Sequence, residues 1–324
     1  MPDLRRVLVI AKRSAYDIYV RRHQSERVLD LLARGDPTVA RLERADEHHG
    51  RTLVELREAL DRLGARVSYR ERERVGDTSG YDLVITVGGD GTLLWVSHAV
   101  GETPVLGVNS APMDSVGYLC GARMGDVGAR LEALARGELP RVRVARMRVS
   151  VDGRAVHRRV LNDALFAHPN PAMTSRYLLD FRGRRDEHKS SGIWLSTPAG
   201  STAAVRSAGG RAMPLRSRLL QFVVREPYTP TGEPFAFERD YIRPDDTFTV
   251  LNKMREARIY LDGPRLAIPV EMGQRVTFDL SDEPLTLLGV QARATSERRK
   301  SAPGAAAQAP VADTDDGDGT VPRR

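Results

Sequence analysis

Between residues 83 and 96 the chain reads Leu83-Val84-Ile85-Thr86-Val87, then Gly88-Gly89-Asp90-Gly91-Thr92, then Leu93-Leu94-Trp95-Val96. A short, almost wholly apolar run of this kind reads as a strand buried on both faces, as in a parallel sheet, and the apolar residues after the glycines open a helix. The glycines therefore occupy a strand-to-helix turn. In an open α/β sheet such a turn lies at the carboxyl edge, where ligands bind and a helix N-terminus offers free N–H groups to a phosphate. Asp90 is out of place there, because a carboxylate among phosphate-binding amides repels the ligand unless it holds Mg²⁺ or takes a proton from an attacking hydroxyl. Both uses belong to phosphoryl transfer. The plainer alternative makes Asp90 a helix cap and the glycines a tight turn.

Neither common nucleotide signature accompanies the turn: there is no Gly-x-x-x-x-Gly-Lys-Ser/Thr, and Gly89-Asp90-Gly91 lacks the third glycine of the dinucleotide fingerprint. The flanking sequence still reads as α/β. Val7-Leu8-Val9-Ile10 forms a first strand, and Ser25 caps a helix carrying Val28, Leu29, Leu31 and Leu32 that stops at Gly35-Asp36-Pro37. Leu53, Leu56, Leu60 and Leu63 recur at helical spacing up to Gly64, and Ala65 to Tyr69 reads as the next strand. Beyond the glycine turn, Pro104 to Asn109 is a further parallel strand, and a helix from Val127 to Leu134 ends at Gly137.

The pattern changes near Pro140. Short alternating runs such as Arg143 to Val149 and Tyr177 to Phe181, and later Ala257 to Leu261, Val276 to Leu280 and Leu285 to Val290, are separated by Gly and Pro turns, as in an antiparallel β domain. With 324 residues and 41% hydrophobic content the chain has room for two cores. The expected fold is an α/β N-terminal domain with a parallel sheet over 1–140 and a mostly antiparallel β domain over 141–292. A compositionally biased tail over 293–324 lacks periodicity and is expected to be disordered.

No run of eighteen apolar residues and no apolar leader occurs, so a cytoplasmic protein without membrane association is expected. Cys120 is the single cysteine, which rules out an internal disulfide and reads as a small buried residue. His48-His49 reads as a solvated turn. A formal charge of +7, from 50 basic and 43 acidic residues, suits polyanionic ligands, but the arginines are scattered and form no nucleic-acid motif.

Two further segments in the β half carry chemistry. Asn162-Asp163 places an amide and a carboxylate side by side within the apolar stretch Val160 to Phe166, where both need partners, although Asn-Asp is also a common turn pair. Gly192 to Leu195 runs as an apolar strand into Ser196-Thr197-Pro198-Ala199-Gly200-Ser201-Thr202, and a helix begins over Ala203 to Ala208 and breaks at Gly209-Gly210. This reads as a second cradle for an anion or a ribose, lined by hydroxyls.

GGDGT, an Asn-acidic pair and a segment close to STPTGSTAYSLSAGG occur here in the same order and spacing as in the NAD kinase family, which the chain resembles over roughly Val7 to Val290. Ala11 to Tyr16 and Gly107 to Cys120 extend the resemblance, most closely to the mitochondrial-type branch. It implies transfer of the γ-phosphoryl of ATP to the 2′-hydroxyl of the adenosine ribose of NAD or NADH, with Mg²⁺ carried by the nucleotide. It also implies roles. Asp90 matches the catalytic aspartate; Gly88, Gly89, Gly91 and Thr92 match the phosphate loop, and Asn162 and Asp163 the pair that hydrogen-bonds the dinucleotide. Arg176 and Lys189 fall near basic substrate contacts, Thr202, Ala203, Ala204 and Ser207 match the cradle, and a homo-oligomer (dimer or tetramer) is expected.

Four positions depart from the family pattern: Asp163 stands for a glutamate, Ala199 for a threonine, Ser191 for an aspartate and Ala204 for an aromatic residue. A lipid or sugar kinase sharing GGDGT, and a dinucleotide sensor without turnover, are the rival readings. The first needs an apolar acyl slot or a membrane-binding face, and the second is disfavoured by the retained Asp90.

Overall fold

The computed structural model describes residues 4–229 and 235–290; the tail expected over 293–324 lies outside them. The first sheet has β1 (Arg6–Ala11), β2 (Arg66–Glu71), β3 (Leu83–Gly88), β4 (Val105–Asn109), the short β5 (Ala122–Arg123), β6 (Arg141–Val144) and, from the far end of the chain, β19 (Leu285–Leu288). Its order is β2-β1-β3-β4-β19-β6, with β5 beside β4. All neighbours pair in parallel except β19 and β6. Every residue of β3 is buried, the consequence of cover on both faces. On one face α2 (Leu42–Arg62) and α4 (Val127–Ala135) supply Leu56, Leu60, Leu131 and Leu134 to a cluster with Val7, Ile85 and Val108. On the other, Leu93 and Val96 of α3 (Asp90–Ser97) pack with Leu8, Ile10 and Val84. The remaining N-terminal helix, α1 (Glu26–Ala33), has no buried residue.

The rest of the chain is a sandwich of two six-stranded sheets. One runs β11-β10-β15-β18-β7-β8, from β7 (Met147–Val151), β8 (Arg154–Val160), β10 (Ser175–Phe181), β11 (Arg184–Ser190), β15 (Phe248–Asn252) and β18 (Arg275–Leu280). The other runs β14-β13-β12-β9-β16-β17, from β9 (Asp163–Ala167), β12 (Ile193–Ser196), β13 (Leu220–Val224), β14 (Arg239–Ile242), β16 (Ala257–Leu261) and β17 (Leu266–Val270). Phe166 and Phe222 from one sheet meet Phe181, Phe248 and Phe278 from the other in a single core, as alternation on two facing sheets demands.

Three details differ from the sequence reading. The boundary at 140/141 falls inside a sheet, because β6 and β19 complete the parallel one; strand periodicity does not tell which sheet a strand joins. The run from Arg143 to Val149 is two strands, broken at Ala145-Arg146. And α2 begins at Leu42, so His48 and His49 lie on a helix; His49 is buried with Nδ1 2.8 Å from Ser110 Oγ, rather than in a solvated turn.

Arg146 explains the break. The chain leaves the first sheet at β6 and returns at β19, and Arg146, fully buried, ties both crossings to the end of α3. Its guanidinium donates to the carbonyls of Ser97 (3.0 Å), Val100 (2.8 Å) and Glu283, and its own carbonyl accepts Ser281 N–H at 2.9 Å. Burial and neighbouring Arg159 lower its pKa to about 10, which leaves it charged at neutral pH. Arg146→Met is expected to leave these carbonyls without a donor, costing at least about 1.5–3 kcal/mol and lowering Tm by roughly 3–10 °C. Calorimetry checks this; an unchanged Tm would mean that the carbonyls find other donors.

Candidate active site

Gly88 ends β3, Gly89 precedes the helix, and Asp90 is the first residue of α3. Two glycines here have opposite reasons. A Cβ on Gly88 would lie 2.2 Å from Thr92 Oγ1, so the turn closes only with glycine there, whereas a Cβ on Gly91 would meet nothing within 4 Å. The Gly91 side of the first turn of α3 therefore faces open space; Thr92 and Leu93 N–H both donate to Gly89 O (2.9 and 3.3 Å), which leaves the N–H groups of Asp90 and Gly91 for an anion. Asp90 does not cap its own helix. Its two carboxylate oxygens accept N–H groups from Tyr118 (2.7 Å) and Leu119 (2.8 Å), which pins the loop after β4 against α3. Burial and Asp90 together raise the Cys120 thiol pKa, so Cys120 stays protonated with its sulfur 3.9 Å from Asp90 Oδ1.

Asn162 and Asp163 lie where β8 gives way to β9, and Asp163 pairs in register with Ser196 at the end of β12. Thr197 N–H donates to Asn162 O at 2.9 Å, and Thr197 Oγ1 donates to Leu161 O. Gly200 is required at this junction: a Cβ would lie 2.1 Å from Asn162 O. Of the hydroxyls read as a cradle, Thr197 and Ser201 turn inward and hold the loop itself, Ser201 Oγ bonding Pro198 O and Met213 N. Asn162 Oδ1 and Ser196 Oγ are buried with no hydrogen-bond partner in the protein, the mark of a polar site that awaits one. Thr202, Ala204 and Ser207 are exposed around the single turn of α5 (Ala204–Ser207).

Asp262, in the β16–β17 turn, joins the two halves. Its carboxylate accepts the N–H groups of Leu161 (2.8 Å), Asn162 (2.7 Å) and Asp163 (3.0 Å), while Oδ2 lies 3.3 Å from Nε2 of His98, which caps the C-terminal end of α3. His98 Nδ1 is 2.7 Å from His157 Nε2. Leu161 and Ala199 also pack in the same apolar cluster as Leu93 and Val96 of α3. The helix that begins at Asp90 and the cradle thus share one core and one chain of hydrogen bonds. Between α3 and the β16–β17 turn a cavity of about 230 Å³ is lined by Gly91, Trp95, His98, Asp262 and Pro264.

Burial dominates the titration of this cluster. It raises Asp163 to about 7, with Asp262 adding like-charge repulsion, and raises Asp262 to about 6 against the pull of its three N–H donors. It lowers His98 to about 4, helped by His157 and Arg146. Among the described residues no group of three or more His, Cys, Asp or Glu is placed to hold a metal ion.

Arg176 and Lys189 are not brought to this site. They face each other across the β10–β11 hairpin on the other sheet, exposed, where their charges act on Glu187. Tyr177 lies away from the cradle as well: it is buried in the sandwich core, stacked on His188 and hydrogen-bonded to Ser190. Trp194 forms a cross-strand row with Leu165 and Tyr260 beside a separate cavity of about 540 Å³. The sequence reading missed Asp262 and His98: Asp262-Gly263 signalled only a turn, and a lone histidine on a helix signals nothing.

The sequence model of the ATP-NAD kinase N-terminal domain matches residues 6–139. A probable NADH kinase from Oryza sativa is 33% identical over 241 residues, spanning 68% of this chain and 74% of the relative. An NADH kinase from Arabidopsis thaliana is 35% identical over 227 residues, 63% of this chain and 71% of the relative. The chain belongs to the NAD kinase family. A crystal structure of an NAD kinase from Archaeoglobus fulgidus in complex with ATP, 20% identical, has the same fold, with a TM-score of 0.60 over 91% of this chain and 96% of that one. Among the described residues no helix is long and apolar enough to cross a membrane.

For Asp163 the linkage sign follows from its raised pKa. The folded state binds the proton more tightly than the unfolded chain, so stability is greatest below about pH 4 and falls as pH rises towards about 7. Asp163→Asn removes that cost. Its gain in stability over the parent is expected to grow between pH 4 and pH 7, to on the order of a few kcal/mol at the top, and then level off. Thermal unfolding across pH without ligand measures it, and a gain independent of pH would contradict the assignment.

Proposed function

We propose that the chain transfers the γ-phosphoryl group of ATP to the 2′-hydroxyl of the adenosine ribose of NAD(H), forming NADP(H) and ADP. The observation that carries this reading is the junction of an open phosphate-binding turn with a polar cradle that has unpartnered atoms, joined through Asp262 and His98. In this reading the Gly91 N–H and the N-terminal end of α3 hold the transferring phosphate, Gly88, Gly89 and Thr92 shape the turn, and Mg²⁺ arrives on the triphosphate as part of the substrate. Asn162 Oδ1 and Ser196 Oγ hold the dinucleotide, with Asp163 beside them and Thr202, Ala203, Ala204 and Ser207 at the rim. Within one subunit Arg176 and Lys189 lie on the other sheet, away from these groups.

Asp90 accepts the 2′-hydroxyl proton. Its two backbone bonds fix the carboxylate plane, and Oδ2, which accepts only Tyr118 N–H, keeps a second lone pair. As the proton moves to Asp90, the ribose oxygen forms a bond to the γ-phosphorus and the bond to the β-bridging oxygen breaks, so ADP leaves with the electron pair. Such a transfer needs positioning and charge neutralisation more than covalent chemistry.

The purified protein incubated with Mg-ATP and NAD, NADH or a panel of lipids is expected to yield NADP or NADPH, identified by mass; phosphorylation of a lipid alone would overturn the reading. Asp90→Asn is expected to lower turnover by about 10²–10⁴-fold. Its amide nitrogen would also face a backbone N–H, which costs about 1–3 kcal/mol of stability. Turnover within a few-fold of the parent would remove Asp90 from its role. Because Ala204 is exposed at the cradle rim, Ala204→Tyr is expected to lower KM for the dinucleotide, up to roughly tenfold, with kcat unchanged. An unchanged KM would mean that no ligand ring reaches that position.

A further inference from the structure

The sheet face that carries the cradle extends beyond it. Asp163 on β9 pairs in register with Ser196 on β12, Ser196 with Gln221 on β13, and Gln221 with Tyr241 on β14. Residues directly opposite in an antiparallel ladder share a face, so these four form a row that leads away from the cradle at about 5 Å per strand. Leu220, Phe222 and Val224, which alternate with Gln221 and Val223, belong to the sandwich core, so the row lies on the outer face. At its far end a cavity of about 170 Å³ is lined by Gly209, Gly210, Arg211, Gln221, Arg239 and Tyr241.

Three guanidinium groups gather around this cavity. Arg206 Nη1 donates to Gly210 O at 2.9 Å, and Arg239 Nη1 donates to Gly209 O at 3.1 Å. Arg211 is held by its backbone: the buried Gln221 accepts its N–H at 2.9 Å and donates to its carbonyl at 2.7 Å, which spends both ends of the amide on one residue. Among the described residues the Arg211 side chain has no hydrogen-bond or ion-pair partner, and none of the three arginines meets a carboxylate. The carboxylate that does line the cavity, Asp240, is committed elsewhere: Oδ2 accepts Arg182 Nη1 at 2.8 Å and Oδ1 accepts Tyr241 N–H at 2.7 Å. A guanidinium carries five N–H donors, so most of those on Arg206, Arg211 and Arg239 are unspent. Three like charges so placed repel one another until an anion joins them.

We infer that this cavity is a second anion site, separate from the glycine turn, and that it binds a phosphate dianion between Arg211 and Arg239 with Arg206 at its edge. The planar fork of a guanidinium matches two phosphate oxygens at once, and a dianion answers several such cations better than a carboxylate does. Size points the same way. Pockets for organic ligands run to about 300–1,000 Å³, so this one admits a phosphate group and excludes a nucleoside. The ligand is therefore inorganic phosphate, or one phosphate group of a larger molecule whose remainder lies outside. Gly209 and Gly210 end the segment that begins at the cradle rim, so a bound phosphate ties the end of α5 to β14. The site stands independently of the reaction assigned to the cradle.

The test titrates inorganic phosphate into the full chain by calorimetry at fixed ionic strength. The parent is compared with Arg211→Met, Arg211→Lys and, as a control for lost charge, Arg141→Met, an exposed position on β6 of the first sheet. Arg211→Met is expected to weaken phosphate binding about tenfold or more, Arg211→Lys to give an intermediate loss because it keeps the charge without the fork, and Arg141→Met to match the parent. The Arg211 side chain holds nothing else in the protein, so Tm without phosphate is expected to be the same in parent and variants. Phosphate held only at the glycine turn would bind Arg211→Met as tightly as the parent, and that result overturns the inference. An equal loss in Arg141→Met overturns it too, since net charge alone would then explain the binding. Competition identifies the source: displacement of phosphate by NADP but not by NAD assigns the pocket to a nucleotide's phosphate monoester, and displacement by neither assigns it to the free ion.

Discussion

The buried guanidinium of Arg146 holds the two halves of this chain in one arrangement. Each crossing between the parallel sheet and the sandwich is a short irregular segment whose carbonyls lack ladder partners, and Arg146 gathers carbonyls from both the return crossing and the end of α3. A charge without water is tolerated only when its donors are spent, and here they are spent on backbone. The geometry of the site follows. With the end of α3 fixed, His98 is fixed, and through His98 and Asp262 so is the strand junction that carries Asn162 and Asp163.

The cradle stores electrostatic cost. Asp163 and Asp262 are both buried and repel each other, and His98 is too dry to charge near neutral pH. Unpartnered Asn162 Oδ1 and Ser196 Oγ add to it. A fold selected for stability alone has no reason to keep such groups. Ligand donors that satisfy them recover part of that cost on binding, which couples affinity to pre-organisation rather than to induced order.

Much of the fold was legible in the sequence because parallel strands buried on both faces write themselves as apolar runs, and glycine at a strand-to-helix turn is unmistakable. The NAD kinase resemblance was carried by three ordered motifs and is matched by relatives above 30% identity. Illegible were the partners of those motifs. Thr197 and Ser201 look like ligand donors in sequence and turn inward, while Arg176 and Lys189 look close to the cradle and lie on the other sheet. Asp262, about a hundred residues from Asn162, closes the site with no local signal at all.

What the sequence determined by itself was therefore local: periodicity sets strand or helix, glycine sets the turn, and three short motifs in order carry the family resemblance. What the tertiary structure alone decided was pairing over distance. Whether β19 completes the first sheet, which hydroxyls face the ligand, and how His98 meets Asp262 depend on contacts between residues far apart in the chain. The physical reason is range: backbone propensity and side-chain spacing act over a few residues, whereas burial and hydrogen-bond satisfaction are settled only when the whole chain has packed.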